Sequence, residues 1–375
     1  MGTLNQTISV DDFGAVGDWD GATGTDDTAA INSAIDAAGG GTVLFGPKRY
    51  RIVGGVTGGA SGTRLVGRGR KLTELHNDGT AGTALVTTPT SIRGYAVESM
   101  FLSSKSGSGQ GACLLISENF GEIVVSDVEI NAYGSAAGIQ AVAGNGIHLY
   151  LEQVRVNGGA KCFDFFNAGS TAINTIVANA CYANDADQYG WDISNVTQAM
   201  LTGCSGDNSG ARTSPGYGFR LSGVHTKLTG CTAEHNGNYT SLTGGGYVVS
   251  GGVSTIFESC STYNQGQPWT INAANGHILF TECHTSTPIP FGSAMSLNAY
   301  SSLAINGGGP LIIGAVANAA FTTRLGGLMV DGTLIADSAT RGVVMRSANG
   351  HYWRVTISDA GALAYEDLGG TRPTA

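Results

Sequence analysis

Apolar and polar positions in this chain repeat at a period far longer than a helix turn or a strand pleat. Five segments align between residues 177 and 283: Val177-Ala-Asn-Ala-Cys181, Met200-Leu-Thr-Gly-Cys204, Lys227-Leu-Thr-Gly-Cys231, Ile256-Phe-Glu-Ser-Cys260 and Leu279-Phe-Thr-Glu-Cys283. Their cysteines are 23, 27, 29 and 23 residues apart, and Val154 and Val128 extend the column backward at steps of 27 and 26. A second column, Phe163, Trp191, Phe219, Tyr247 and Trp269, runs between them at steps of 28, 28, 28 and 22 residues. Each of its aromatics is followed two positions later by an apolar residue: Phe165, Ile193, Leu221, Val249 or Ile271. Strand side chains alternate sides, so aromatic and aliphatic both point inward and the residue between them points out. A repeat of this length, with two inward columns per repeat, predicts stacked coils of parallel β-structure.

The ends depart from the repeat. After Thr25-Asp26, the apolar residues Ile31, Ala34, Ile35 and Ala38 fall at helical spacing until Gly39-Gly40-Gly41. The pattern predicts a helix capped by Thr25 or Asp26 and covering the open end of the stack, where apolar rungs and strand edges are otherwise bare. Strands are predicted at Thr42-Val43-Leu44-Phe45 and Tyr50-Arg51-Ile52, and the coils run from about 42 to 290, where Pro288 and Pro290 break the pattern. Residues 291–375 read as short strands such as Tyr352-Trp-Arg-Val-Thr-Ile357 beside the turn Ala348-Asn349-Gly350, a small β-rich assembly or binding domain. The expected fold is therefore all-β: a single-stranded right-handed parallel β-helix with a capping helix in residues 1–41 and a C-terminal β-rich domain.

Composition narrows the classes. With 59 Gly, 8 Pro and only 13% charged residues, the chain suits many short strands and tight turns. A net charge of −9 disfavours nucleic acid as a partner. No apolar run is long enough to cross a bilayer, and the first residues lack the basic and apolar regions of a secretion signal. The 7 cysteines show no CxxC spacing, so they are read as reduced core residues and no metal or cofactor is expected.

The segments Asp12-Phe13-Gly14-Ala15-Val16-Gly17-Asp18, Thr25-Asp26-Asp27-Thr28 and Gly40-Gly41-Thr42-Val43 resemble the opening of pectate-lyase-like β-helix proteins, a group that includes polygalacturonase-like enzymes and many bacteriophage tailspikes. The stretch 346–361 resembles C-terminal segments of phage tailspikes. The resemblance implies a homotrimeric, virion-borne protein, assembled in the host cytoplasm, that binds a bacterial capsule or O-antigen and contacts other tail proteins. A secreted pectin-type enzyme is the alternative. One fold carries hydrolases, lyases and plain binders, so the chemistry has to come from the residues.

Two outward columns carry acids. Asn184, Asp207, Glu234 and Tyr263 each lie three residues after a cysteine, which places Asp207 and Glu234 on neighbouring coils. Like charges that close separate one protonated acid from one ionised carboxylate, the division that glycoside hydrolysis needs. Asn184 and Asn208 suit sugar hydroxyls, Tyr263 or Tyr239 a ring face, and His235 an auxiliary proton-transfer role. The second column is Asp164, Asp192 and Arg220, the last placed to neutralise an acid. Exposed acids on a sheet are ordinarily just solvated, and Asp or Asn beside Gly is an ordinary turn former. The expected activity is hydrolysis of the polysaccharide by carboxylate acid/base chemistry, and the alternatives are β-elimination on a uronic-acid polymer and glycan binding without cleavage.

Overall fold

In the computed structural model the chain divides into two compact units, Met1–Gly314 and Ala315–Ala375. Described are most of residues 6–291, then 303–306, 311–313, 343–346, 351–357 and 363–367; within the first stretch 106–108, 134–135, 142–143, 167–172, 195, 211–215, 238–243, 251–253, 264–266, 272–276, 282 and 286–288 lie outside the description.

The first unit is a parallel β-helix, and its strands form three ladders. Long strands such as Ile173–Asn179, Val196–Thr202 and His225–Thr229 stack into the first. Three-residue strands, Arg155–Asn157, Tyr182–Asn184, Ser205–Asp207, Thr232–Glu234 and Ser261–Tyr263, form the second. Lys161–Phe166, Tyr189–Ser194, Tyr217–Ser222, Gly245–Val249 and Gln267–Ile271 form the third. All these pairings are parallel, and each strand meets its counterpart one coil later.

The aromatic column lies in this third ladder, in register as Phe163↔Trp191↔Phe219↔Tyr247↔Trp269. Phe163 and Trp191 stack with centroids 3.8 Å apart, and Phe219 and Tyr247 at 4.9 Å. Their polar tips find core carbonyls: Trp191 Nε1 donates to Ser205 O at 2.8 Å and the Tyr247 hydroxyl to Cys231 O at 2.9 Å.

Cys181, Cys204, Cys231 and Cys260 are buried free thiols, but they sit at corners rather than within strands. Each follows a residue in left-handed conformation: Ala180 (φ 50°), Gly203 (59°), Gly230 (60°) and Ser259 (52°). The positive φ turns the chain from the first ladder into the second, and the small side chain that follows fills the inside of the bend. Cys204 Sγ donates to Ala178 O at 3.5 Å and Cys231 Sγ to Leu201 O at 3.5 Å, so the thiols also tie one coil to the last.

The capping helix spans Thr28–Ala38 and buries Ile31, Ala34, Ile35 and Ala38 against the first coil. Its N-cap is Asp27, one residue later than the pattern suggests. The Asp27 carboxylate is turned away from the helix, accepting from Val16 N at 2.6 Å and Gly17 N at 3.2 Å. Asp26 instead accepts from Thr28 N at 3.1 Å. Rungs begin before the helix, with Thr7–Ser9 paired to Thr42–Leu44. They also continue past Pro290, where Ile289–Phe291 pairs with Leu311–Ile313. The turn at 348–350 and Pro288 lie outside the described residues.

The second unit holds an antiparallel sheet of Val343–Arg346, Tyr352–Ile357 and Leu363–Asp367. His351 Nδ1 lies 2.9 Å from Asp367 Oδ2 at its edge.

Candidate functional site

The second ladder owes its outer face to simple alternation. In each three-residue strand the middle residue (Val156, Ala183, Gly206 or Ala233) is buried, so the flanking residues face outward. The outer column runs Asn131↔Asn157↔Asn184↔Asp207↔Glu234↔Tyr263, one residue per coil. Parallel neighbours lie about 4.8 Å apart along such a column. Asn184 Nδ2 donates to Asn157 Oδ1 at 3.3 Å, and Asn208 Nδ2 donates to Asn184 Oδ1 at 2.8 Å. The result is a row of amides leading to a pair of acids and then to a tyrosine whose surface is 53% exposed.

Asp207 is the perturbed member of the pair. Burial, and then the Glu234 charge beside it, raise its carboxyl to about 6. Its Oδ1 is buried with no hydrogen-bond partner. The nearby Tyr182 hydroxyl, the Glu234 backbone N–H and the His235 ring oppose the rise without cancelling it. Tyr182 itself is pushed up to about 12, chiefly by burial and then by the Asp207 charge. Glu234 is more open and meets His235, whose Nδ1 lies 3.2 Å from Glu234 Oε1. Together these features present one acid that holds its proton up to about pH 6, next to a second, more open carboxyl.

The corner after this ladder holds the flanking candidates in place. Asn208 (φ 53°) and His235 (φ 53°) occupy a second left-handed column with Asp185 (φ 59°). Asn208 N donates to Glu234 O at 2.9 Å, and His235 N to Tyr263 O at 3.2 Å. Fully buried Asn236 staples the bend from inside, donating to Gly206 O at 2.6 Å and accepting from Ser209 N at 2.8 Å. Asp185 Oδ2 accepts from the Tyr133 hydroxyl at 2.7 Å. Tyr239 and the loop residues 211–215 and 238–243 lie outside the described residues.

Asp164, Asp192 and Arg220 stand in register on the third ladder, but in a different environment. Asp192 is 0% exposed, with Lys161 Nζ at 2.7 Å, Arg220 Nη1 at 3.4 Å and Ser194 Oγ donating at 3.0 Å. Lys161 Nζ also lies 2.9 Å from Asp164 Oδ1, while Gln140 Nε2 donates to Asp164 Oδ2 at 3.0 Å. Tyr189 and Tyr217 stack at 6.1 Å, with Arg220 Cζ 5.2 Å from the Tyr189 ring. Two acids and two cations thus balance within one network. It binds the coils of this ladder together.

Tyr182 and Lys161 are the residues that sequence reasoning missed. Tyr182 directly follows a ladder cysteine, and alternation from Asn184 places it outward, so its signal was present. Lys161 was not legible in that way. Strict alternation puts it on the side of Phe163, but the strand bends at the intervening position, where Gly190 and Gly218 stand in later coils. A Cβ on Gly190 would come within 2.7 Å of Gly218 O, and one on Gly218 within 2.6 Å of Gly206 O. The bend brings Lys161 onto the side of Asp164.

Three solved structures share the path of the backbone. The tailspike of an Acinetobacter phage superposes with a TM-score of 0.59 at 14% identity, over 100% of this chain and 84% of its own. A protein of Geobacillus virus E2 gives 0.56 at 17% identity, over 97% and 74%. The enzymatically active domain of tailspike protein 2 from bacteriophage CBA120 gives 0.54 at 12% identity, over 80% and 52%. The fold is that of phage tailspikes. No family model and no curated protein matches the sequence. At these identities the likeness extends to the coil architecture and not to side chains, so the chemistry of this chain rests on its own residues. Among the described residues no group of His, Cys, Asp and Glu is arranged to hold a metal ion, and no helix is long and apolar enough to cross a membrane.

Proposed function

We propose that the protein is a tailspike-type depolymerase that binds a bacterial surface polysaccharide, capsule or O-antigen, and hydrolyses it at the Asp207–Glu234 pair. The observation that carries this reading is the in-register pair of acids with unequal surroundings, Asp207 raised to about 6 by burial and by Glu234. In the mechanism Asp207 delivers its proton to the glycosidic oxygen as the bond to the leaving sugar breaks. Glu234, the more open of the two, supports the electron-poor sugar carbon or activates the attacking water. Asn157, Asn184 and Asn208 supply hydrogen bonds to hydroxyls on one side of the pair, and Tyr263 a ring face on the other. His235 orients Glu234.

Hydrolysis is favoured over β-elimination by the charges near the pair. A lyase needs a cation to neutralise the uronate carboxylate, and of the described cations Lys161 and Arg220 engage Asp164 and Asp192 on the third ladder, while Arg155 lies two coils before Asp207. The same network supports a structural role for Asp164 and Asp192. The fold likeness supports a virion-borne protein acting as a homotrimer, with other tail proteins as further partners.

The test is incubation with purified host polysaccharide, following chain length and reducing ends. Asp207→Asn and Glu234→Gln are each expected to lower cleavage at least 100-fold while polysaccharide binding persists. Tight binding by the native protein with no shortening of the polymer sinks the enzyme reading and leaves a glycan-binding protein. An unsaturated product absorbing in the ultraviolet selects the lyase.

A further inference from the structure

We infer that Arg155 anchors a subsite for a carboxylate-bearing sugar, so that the substrate is an acidic polysaccharide gripped by its charge two coils before the cleavage pair. The inference rests on the reading of Asp207 and Glu234 as that pair and names the class of glycan they act on.

Register places the residue. Arg155 stands opposite Tyr182, and Tyr182 opposite Ser205, so Arg155 lies two coils before the strand that carries Asp207. Val156 is buried, so Arg155 and Asn157 share the outward face, and Asn157 belongs to the amide row that leads to the acids. The ring of Tyr133 packs at the corner that follows. A Cβ on Gly158 (φ 78°) would come within 2.4 Å of Tyr133 Cδ1, and the Tyr133 hydroxyl donates to Asp185 Oδ2 at 2.7 Å. A cation, an amide and an anchored ring thus line one end of the outer column.

Charge decides what they take. The acids around Arg155 are engaged elsewhere. Glu129, opposite it on the preceding coil, has Lys71 Nζ 2.8 and 2.7 Å from its two oxygens. Asp127 has Arg70 Nε at 2.9 Å, and Glu152 accepts from Asn179 Nδ2 at 3.2 Å. Asp185 follows Asn184 at the corner one coil on and holds the Tyr133 hydroxyl. Arg155 is exposed and has no ion pair among the described residues. Its planar guanidinium therefore presents an unmatched positive fork, the shape that takes both oxygens of a carboxylate. Two rungs of about 4.8 Å each are roughly the length of two linked sugars. At that remove Arg155 holds the polymer without touching the reacting sugar, so it adds binding and supplies no cation for β-elimination.

The test is binding of the full chain to purified bacterial capsular and O-antigen polysaccharides, neutral and uronate-bearing, read by biolayer interferometry. The acidic polymers are measured again after chemical reduction of their carboxylates to alcohols. A uronate-bearing polymer is expected to bind best, and reduction to weaken it about tenfold. Arg155→Gln should lose the same factor on the acidic polymer and nothing on its reduced form. In cleavage, KM should rise about tenfold with kcat unchanged. Tightest binding to a neutral polymer overturns the inference, as does an Arg155→Gln loss that is absent or equal on both forms. The expected binding pattern with no shortening of the polymer removes the hydrolase reading and upholds the subsite. Cleavage of an acidic polymer that Arg155→Gln leaves untouched does the reverse.

Discussion

A carboxyl that a protein holds at about 6, against an ordinary 3.8, is uncomfortable once ionised. The folded state binds the extra proton between those two values, so the stability it brings is complete below the lower one and is lost as pH rises through the upper. At pH 7.5 the ionised Asp207 therefore weighs against folding, by roughly 1–3 kcal/mol after allowance for its partial exposure. Asp207→Asn is expected to raise the unfolding temperature at pH 7.5, and the gain should vanish at pH 4. A thermal melt series in both buffers checks this. Equal melting temperatures at pH 7.5 would mean that the resting site carries no such strain. The acid was legible as an outward residue, because alternation and the cysteine spacing place it. Its proton affinity was not, since that depends on burial by the stacked coils and on Glu234 approaching from the next one.

At the level of elements, the same cysteines that reveal the repeat mark corners that the pattern does not show. A buried small residue looks alike in a strand and in a bend. Only the left-handed φ at Ala180, Gly203, Gly230 and Ser259 tells them apart, and two of these four are not glycine. The third ladder shows a similar limit. Arg220 beside Asp192 could be anticipated, whereas Lys161 depends on a bend at the glycine column. Asp192→Asn leaves Lys161 and Arg220 short of a partner inside the network, and unfolding in urea should show a loss of about 3–5 kcal/mol. Below its lowered midpoint the variant should still cut polysaccharide. Loss of cleavage with an unchanged midpoint would move the chemistry to this face.

Among the described residues a mostly apolar column, interrupted by Lys227, lies on the outside of the first ladder. Register stacks Val124, Tyr150, Val177, Met200, Lys227 and Ile256 there, with Tyr150 36% and Met200 44% exposed. A flat apolar stripe on a solenoid is suited to a neighbouring subunit, and it supports the proposed homotrimer. Light scattering should give three times the 38.2 kDa of the chain. The double substitution Tyr150→Glu with Met200→Glu should reduce it to one. A native monomer would discard the trimer.

The local order of this protein was determined by its sequence alone: the period of the coils, the inward aromatic and cysteine columns, and the outward acids at fixed offsets from them. Those features follow from side-chain alternation and burial, which act between residues near in sequence and repeat in every coil. Tertiary structure decided what each outward residue meets. The Asp207–Glu234 pair is 27 residues apart in the chain, as its register shows. Glu234 and Lys161 meet Asp207 and Asp192 only once the coils stack. Proton affinity and charge balance depend on distance and on exclusion of water, and stacking sets both.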